Sequence, residues 1–135
     1  MPVETVSANW VEGQVFLLRD RNDFPLVMTQ PGGVNGADLL PLSLIGCAVW
    51  DVIRILQKQR QSISGVGVTA ACVREAEAPW RFTHITITYR LTGNDLNENR
   101  IHRAIELAEK KYCSIYACLQ PVVELTSELV IEAES

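Results

Sequence analysis

What the sequence lacks narrows it first. Its four cysteines, Cys47, Cys72, Cys113 and Cys118, form no C-x-x-C pair, and its two histidines, His84 and His102, stand at no metal-ligand spacing from them. That argues against a structural zinc site. No block of Lys and Arg stands out, and the net charge is −4, which argues against a nucleic-acid partner. The start of the chain has neither the cationic residues nor the apolar core of an export signal, so residence in the cytoplasm is expected. In a reducing compartment a disulfide framework is not expected. The thiols are then either inert and buried or a catalytic redox pair. Internal repeats, linkers and low-complexity tracts are also missing, and 135 residues suit a single domain, 1–135, with a core of its own.

What is present is organised around 35–60. Asn35 reads as an N-cap, with Asp38 three residues on placed to reach back in capping-box fashion. From Leu39 to Leu56 nearly every position is apolar, so the segment reads as a helix buried on several sides. Asp51 and Arg54 interrupt the apolar run, against a membrane span. A small chain covers one face of such a helix with its own sheet; a second subunit covers the other, and an obligate homodimer is expected. Pro41 removes one backbone donor and its ring clashes with the Ala37 carbonyl, so the first turn should be offset or kinked.

Around that helix the patterning is of strands and a second helix. Residues 3–11 and Gln14 to Arg19 read as a hairpin turning at Glu12-Gly13, and Phe24 to Thr29 as a short edge strand. Ile63 to Val73 and Arg81 to Leu91 alternate as a long hairpin about Glu75–Pro79. Asn97 to Cys113 is helical, with Ile101, Ala104, Ile105, Ala108 and Tyr112 on one face. Ser114 to Gln120 is a short apolar turn, and Val122 to Glu132 a last strand. The order β3–α–β2–α–β describes an α+β sandwich with helices on one sheet face.

The chain resembles the OsmC/Ohr superfamily, the osmotically inducible and organic hydroperoxide resistance proteins. The marks are Gly33-Val34-Asn35 leading into a helix with Cys47 at mid-length, and Cys113 closing Glu109-Lys-Lys-Tyr-Cys113-Ser. Trp10-Val-Glu-Gly13, Glu77-Ala-Pro79 and Phe82-Thr-His-Ile85 add to the likeness to one OsmC-like branch. The resemblance implies an OsmC-like fold, an antiparallel sheet with a long central helix, in an intertwined homodimer. It implies thiol-dependent reduction of organic hydroperoxides, with Cys47 peroxidatic and Cys113 resolving. The partners would be a small hydroperoxide and a thiol or dithiol reductant, and no metal or organic cofactor would be needed. A thiolate attacks the O–O bond, becomes a sulfenic acid, and condenses with the second thiol.

The match departs from the family at the activating pair. The family's helix-start glutamate falls at Ala37, and its arginine at Val11 or Val27. Asp38 is the next carboxylate but is about half a turn off the face of Cys47. Ser43, Asp51 and Arg54 lie four before, four after and seven after Cys47, on its face. Ser43 can hydrogen-bond the thiolate and Arg54 can favour it, or Asp51 and Arg54 form an ion pair that only fixes packing. Leu44, Val49, Trp50 and Ile53 flank Cys47 as an apolar lining for the substrate, or simply pack. Cys113 follows Lys110 and Lys111 but sits at a helix C-terminus, whose dipole disfavours an anion. Cys118 and Cys72 read as packed thiols, Cys118 also as an alternative resolving group.

Two other functions fit parts of the pattern. One is a non-enzymatic OsmC-like dimer that binds a small apolar ligand. The other is a hotdog-type acyl-CoA thioesterase using Asp38; the second helix ending in cysteine argues against it.

Overall fold

The computed structural model describes residues 2–134. It divides into two compact units, one up to Leu40 and one from Pro41 onward.

The first unit is a three-stranded antiparallel meander: β1 (Ser7–Glu12), β2 (Val15–Arg19) and β3 (Pro25–Thr29). Gly13 makes the first turn at φ +49°, a backbone state that a Cβ penalises. Asp20 makes the second: its Oδ1 accepts from the amides of Asn22 and Phe24, both at 2.9 Å. A 3₁₀ turn, Gly36–Asp38, follows, and Asn35 caps it with Oδ1 accepting from the Ala37 amide at 2.9 Å. The offset first turn expected from Pro41 is this 3₁₀ segment.

Helix α1 runs Leu39–Lys58. Pro41 falls in its first turn, where an amide has no intrahelical partner to lose. By length and composition alone 36–58 would suffice to cross a membrane. Its Leu44, Ala48, Val52 and Leu56 instead form an i, i+4 stripe packed into a protein core.

The second unit places that stripe over a sheet of β4 (Ser62–Arg74), β5 (Phe82–Asn94) and β6 (Glu124–Ala133), in the order β4-β5-β6. β5 is central and alternates strictly: Ile85, Ile87, Tyr89 and Leu91 are all fully buried. Each such side chain stabilises the fold by about 1.5–3 kcal/mol relative to exposure.

β4 and β5 are antiparallel, but β6 lies parallel to β5, with Ile87 opposite Ser127 and Tyr89 opposite Leu129. A wholly antiparallel sheet was expected. The connection explains the difference: a crossover of α2 (Glu98–Leu107), a π turn (Ala108–Tyr112) and α3 (Ser114–Leu119) carries the chain back to the strand's starting end. Asn97 starts the crossover, its Oδ1 accepting from the Arg100 amide at 3.1 Å. Ile101, Ala104, Ile105 and Ala108 close the core from this side.

Candidate functional site

Cys47 sits at mid-length of α1, directly before buried Ala48, and is half-buried. Cys113 is 3% exposed and comes from within the crossover, between the π turn and α3. The fold brings the two thiols close enough to interact. Burial, and then the neighbouring Cys47 side chain, push the Cys113 thiol up to about 11, while the Tyr116 amide pulls the other way. Cys113 is thus held as a thiol beside Cys47.

The position of Cys113 differs from a simple helix C-terminus. Its amide donates to the Ala108 carbonyl at 2.8 Å, an i→i+5 bond that closes the π turn. Its own Sγ then accepts from the Tyr116 amide at 3.3 Å, so the residue is the N-cap of α3. The dipole argument from the preceding helix is therefore offset by amides of the next.

The π turn also changes which residues face inward. Continued α-helical phase puts Tyr112 on the apolar face; Tyr112 is 47% exposed instead. Glu109 takes an inward place and is 4% exposed. Its Oε2 accepts from the Tyr89 hydroxyl at 2.7 Å and from Ser127 Oγ at 2.6 Å. Burial and then the Glu109 carboxylate push both the Tyr89 and the Tyr116 phenols up. Glu109 had no functional reading in the sequence, because Glu-Lys-Lys before Cys113 has the look of a solvated helix end.

Arg54 links α1 to the same turn. Its Nη2 lies 3.1 Å from Asp51 Oδ1, and its guanidinium lies over the Tyr112 ring, 5.2 Å from the centroid. The remaining candidates are spread out. Ser43 is exposed on α1, one turn before Cys47. Leu44 is a core residue, Val49 and Ile53 are half-buried, and Trp50 is 72% exposed. Ile53 lines a cavity of about 320 Å³ with Leu56, Gln57 and residues 61, 63–66. Asp38 is exposed in the 3₁₀ turn of the first unit.

Cys72 and Cys118 are both exposed, where packing had been expected. Cys72 shares the inward face of the sheet with its partner Ile85, but alternation decides only the face, not whether the chain covers it. None of the four cysteines is disulfide-bonded.

Comparison with known proteins gives a consistent picture. The family model described as "OsmC-like protein" matches residues 29–128. Protein YhfA of Escherichia coli K12 is 34% identical over 127 residues, covering 92% of this chain and 95% of the relative. Among solved structures, a hypothetical protein from Aquifex aeolicus VF5 is 26% identical, with a TM-score of 0.88 and full coverage of both chains. An organic hydroperoxide resistance protein OsmC from Legionella pneumophila shares the fold at 14% identity, with a TM-score of 0.65, 96% of this chain and 99% of that one covered.

Proposed function

Since this chain belongs to the OsmC-like protein family, we propose that it is a cysteine-based peroxidase that reduces organic hydroperoxides through Cys47 and Cys113, as one OsmC-like domain in the cytoplasm. The observation that carries the reading is the closeness of the two thiols, which lie far apart in sequence and meet at the core. A solved neighbour of the same fold is named an organic hydroperoxide resistance protein.

The chemistry balances with these two residues and an external reductant. The Cys47 thiolate attacks one peroxide oxygen; the O–O bond breaks, the alcohol leaves after taking a proton, and the sulfur becomes a sulfenic acid. Cys113 S–H then condenses with Cys47 S–OH, forming the disulfide and water. A dithiol reduces the disulfide and restores both thiols. An alkyl or aryl peroxide gains over hydrogen peroxide by burying its apolar part, for which Trp50, exposed one turn after Cys47 on α1, is the available surface.

The acting unit in this reading is a homodimer. Leu42, Gly46 and Trp50 fall at i, i+4, i+8 on the side of α1 away from its buried stripe, and all three are exposed. A second copy of the chain is the partner that such a face fits.

The test is peroxide consumption with dithiothreitol. Turnover of cumene hydroperoxide faster than hydrogen peroxide, abolished in Cys47→Ser, is the expected result. The rival is the non-enzymatic dimer binding an apolar ligand, which Ala37 at the place of the family's glutamate favours. Equal, slow consumption by wild type and Cys47→Ser selects it.

A further inference from the structure

One buried ionisable group has no part in the chemistry above. Glu109 lies inside the second unit, in the π turn that delivers Cys113, and is the buried charged residue among the described residues. An ionised carboxylate in such a place is costly unless it is hydrogen-bonded. An apolar side chain would serve packing alone at least as well. Glu109 has two donors, one from each neighbouring strand: Tyr89 on β5 at 2.7 Å and Ser127 on β6 at 2.6 Å. Both reach the same oxygen, so the carboxylate ties the turn to two strands at one point.

What the turn then presents is Cys113. The i→i+5 bond from the Cys113 amide to Ala108 brackets Glu109. A shift of this turn moves the thiol with it. The same hydroxyl that Glu109 holds is close enough to Cys113 for a charge on the thiol to oppose ionisation of Tyr89. The groups facing this place are Tyr89 from β5, Ser127 from β6, Tyr116 from α3 and Cys47 from α1.

We propose that Glu109 is a positioning residue for the disulfide step: bonded to Tyr89 and Ser127, it fastens the π turn to β5 and β6 and so aims the Cys113 thiol at Cys47. The proposal rests on the reading of Cys113 as the resolving thiol. The step it serves is Cys113 S–H plus Cys47 S–OH giving the S–S bond and water; Cys113 is oxidised, the sulfenic sulfur is reduced, and the thiol proton leaves with the hydroxide.

The experiment measures the Cys47–Cys113 disulfide equilibrium against reduced and oxidised dithiothreitol, in a Cys72→Ser, Cys118→Ser background. This needs no peroxide, so it reads positioning even where peroxidase activity fails. Glu109→Ala is expected to lower the equilibrium constant for disulfide formation by about tenfold or more, because a displacement on the order of 1 Å is that costly to an intramolecular reaction. Glu109→Gln keeps an acceptor oxygen for both hydroxyls and is expected to stay within about threefold of the parent. Tyr89→Phe removes one donor, keeps the carboxylate, and should fall between the two.

A second readout separates the steps. After one equivalent of cumene hydroperoxide, Glu109→Ala should form sulfenic acid on Cys47, trapped by dimedone, at the parental rate and form the disulfide more slowly. Thermal unfolding of the reduced proteins checks the fold, and where Glu109→Ala does not fold, Glu109→Gln and Tyr89→Phe carry the test. Disulfide equilibria within about twofold of the parent in Glu109→Ala and Tyr89→Phe overturn the proposal. A fall in Glu109→Gln as large as in Glu109→Ala overturns it as well.

Discussion

Cys47 and Cys113, far apart in sequence, lie close enough in the fold for Cys47 to help push the Cys113 thiol up, and two features of the second unit bring them there. The stripe Leu44-Ala48-Val52-Leu56 fixes the rotation of α1 on the sheet, which sets where Cys47 points. The crossover fixes the other thiol. In Cys113→Ser the partner for condensation is a hydroxyl, a far weaker nucleophile. One equivalent of cumene hydroperoxide should give one equivalent of sulfenic acid on Cys47, and excess peroxide should drive it to sulfinic acid. Intact-mass spectrometry with dimedone trapping reads both. A full complement of disulfide to another thiol would show instead that exposed Cys118 or Cys72 resolves.

The raised Cys113 thiol makes stability depend on pH in a defined direction. Its ordinary value of 9.0 is pushed to about 11 in the fold. Between these values the native state binds more protons than the unfolded one, so unfolding becomes easier as pH rises. The contribution is whole below about 9 and lost as pH passes about 11. Urea midpoints of the reduced protein should therefore decline over that window. Cys113→Ser should flatten the part of the decline nearest 9; Tyr89 and Tyr116, also pushed up by burial and Glu109, continue it above 10. A profile identical in Cys113→Ser and wild type would contradict the assignment.

The fold was legible where periodicity is simple. The apolar run of 39–56 marks α1 and the two-residue pattern of β4 and β5 marks their inward faces, but a helix apolar almost all round does not say which stripe is buried, and Leu44 belongs to the core rather than to a substrate lining. Three features were not legible, each for a physical reason. Pairing direction is not written in an alternating strand, so the parallel β5–β6 ladder became visible only through the crossover that precedes it. The π turn adds a residue to one helical turn, which exchanges the places of Tyr112 and Glu109 and hides a buried carboxylate behind a polar tripeptide. Capping by a cysteine sulfur is outside the usual set of Ser, Thr, Asp and Asn, so the start of α3 at Cys113 carried no sequence signal.

Arg54 tests the helix-face reading of the site. Its guanidinium is engaged by Asp51 at 3.1 Å and by the Tyr112 ring at 5.2 Å. A cation committed to these two partners ties α1 to the π turn. Arg54→Met should lower stability by about 0.5–1 kcal/mol through loss of the cation–π contact. Formation of sulfenic acid on Cys47, followed by stopped-flow fluorescence, should remain within about threefold of wild type, since the partly exposed ion pair adds little. A slowing of about tenfold or more in that first step would instead identify Arg54 as the activator of Cys47.

The dimer can be tested on the same helix. Opposite its buried stripe α1 exposes Leu42 and Trp50 with Gly46 between them. A Cβ added at Gly46 would meet nothing within 4 Å beyond its chain neighbours and its own helix backbone, so another backbone has room to approach there. An obligate interface built on such surfaces should bury more than about 2,000 Å² and be hydrophobic. Wild type at micromolar concentration should scatter light as a dimer of two 15.0 kDa chains. Trp50→Glu places a charge where an indole was 72% exposed in the single chain, so it costs the monomer nothing in packing. In the dimer it buries an unpaired carboxylate. The variant should dissociate to monomer at concentrations where wild type does not, with its far-ultraviolet dichroism unchanged. A wild-type monomer at those concentrations, or a Trp50→Glu variant as dimeric as its parent, would remove this face of α1 from the interface.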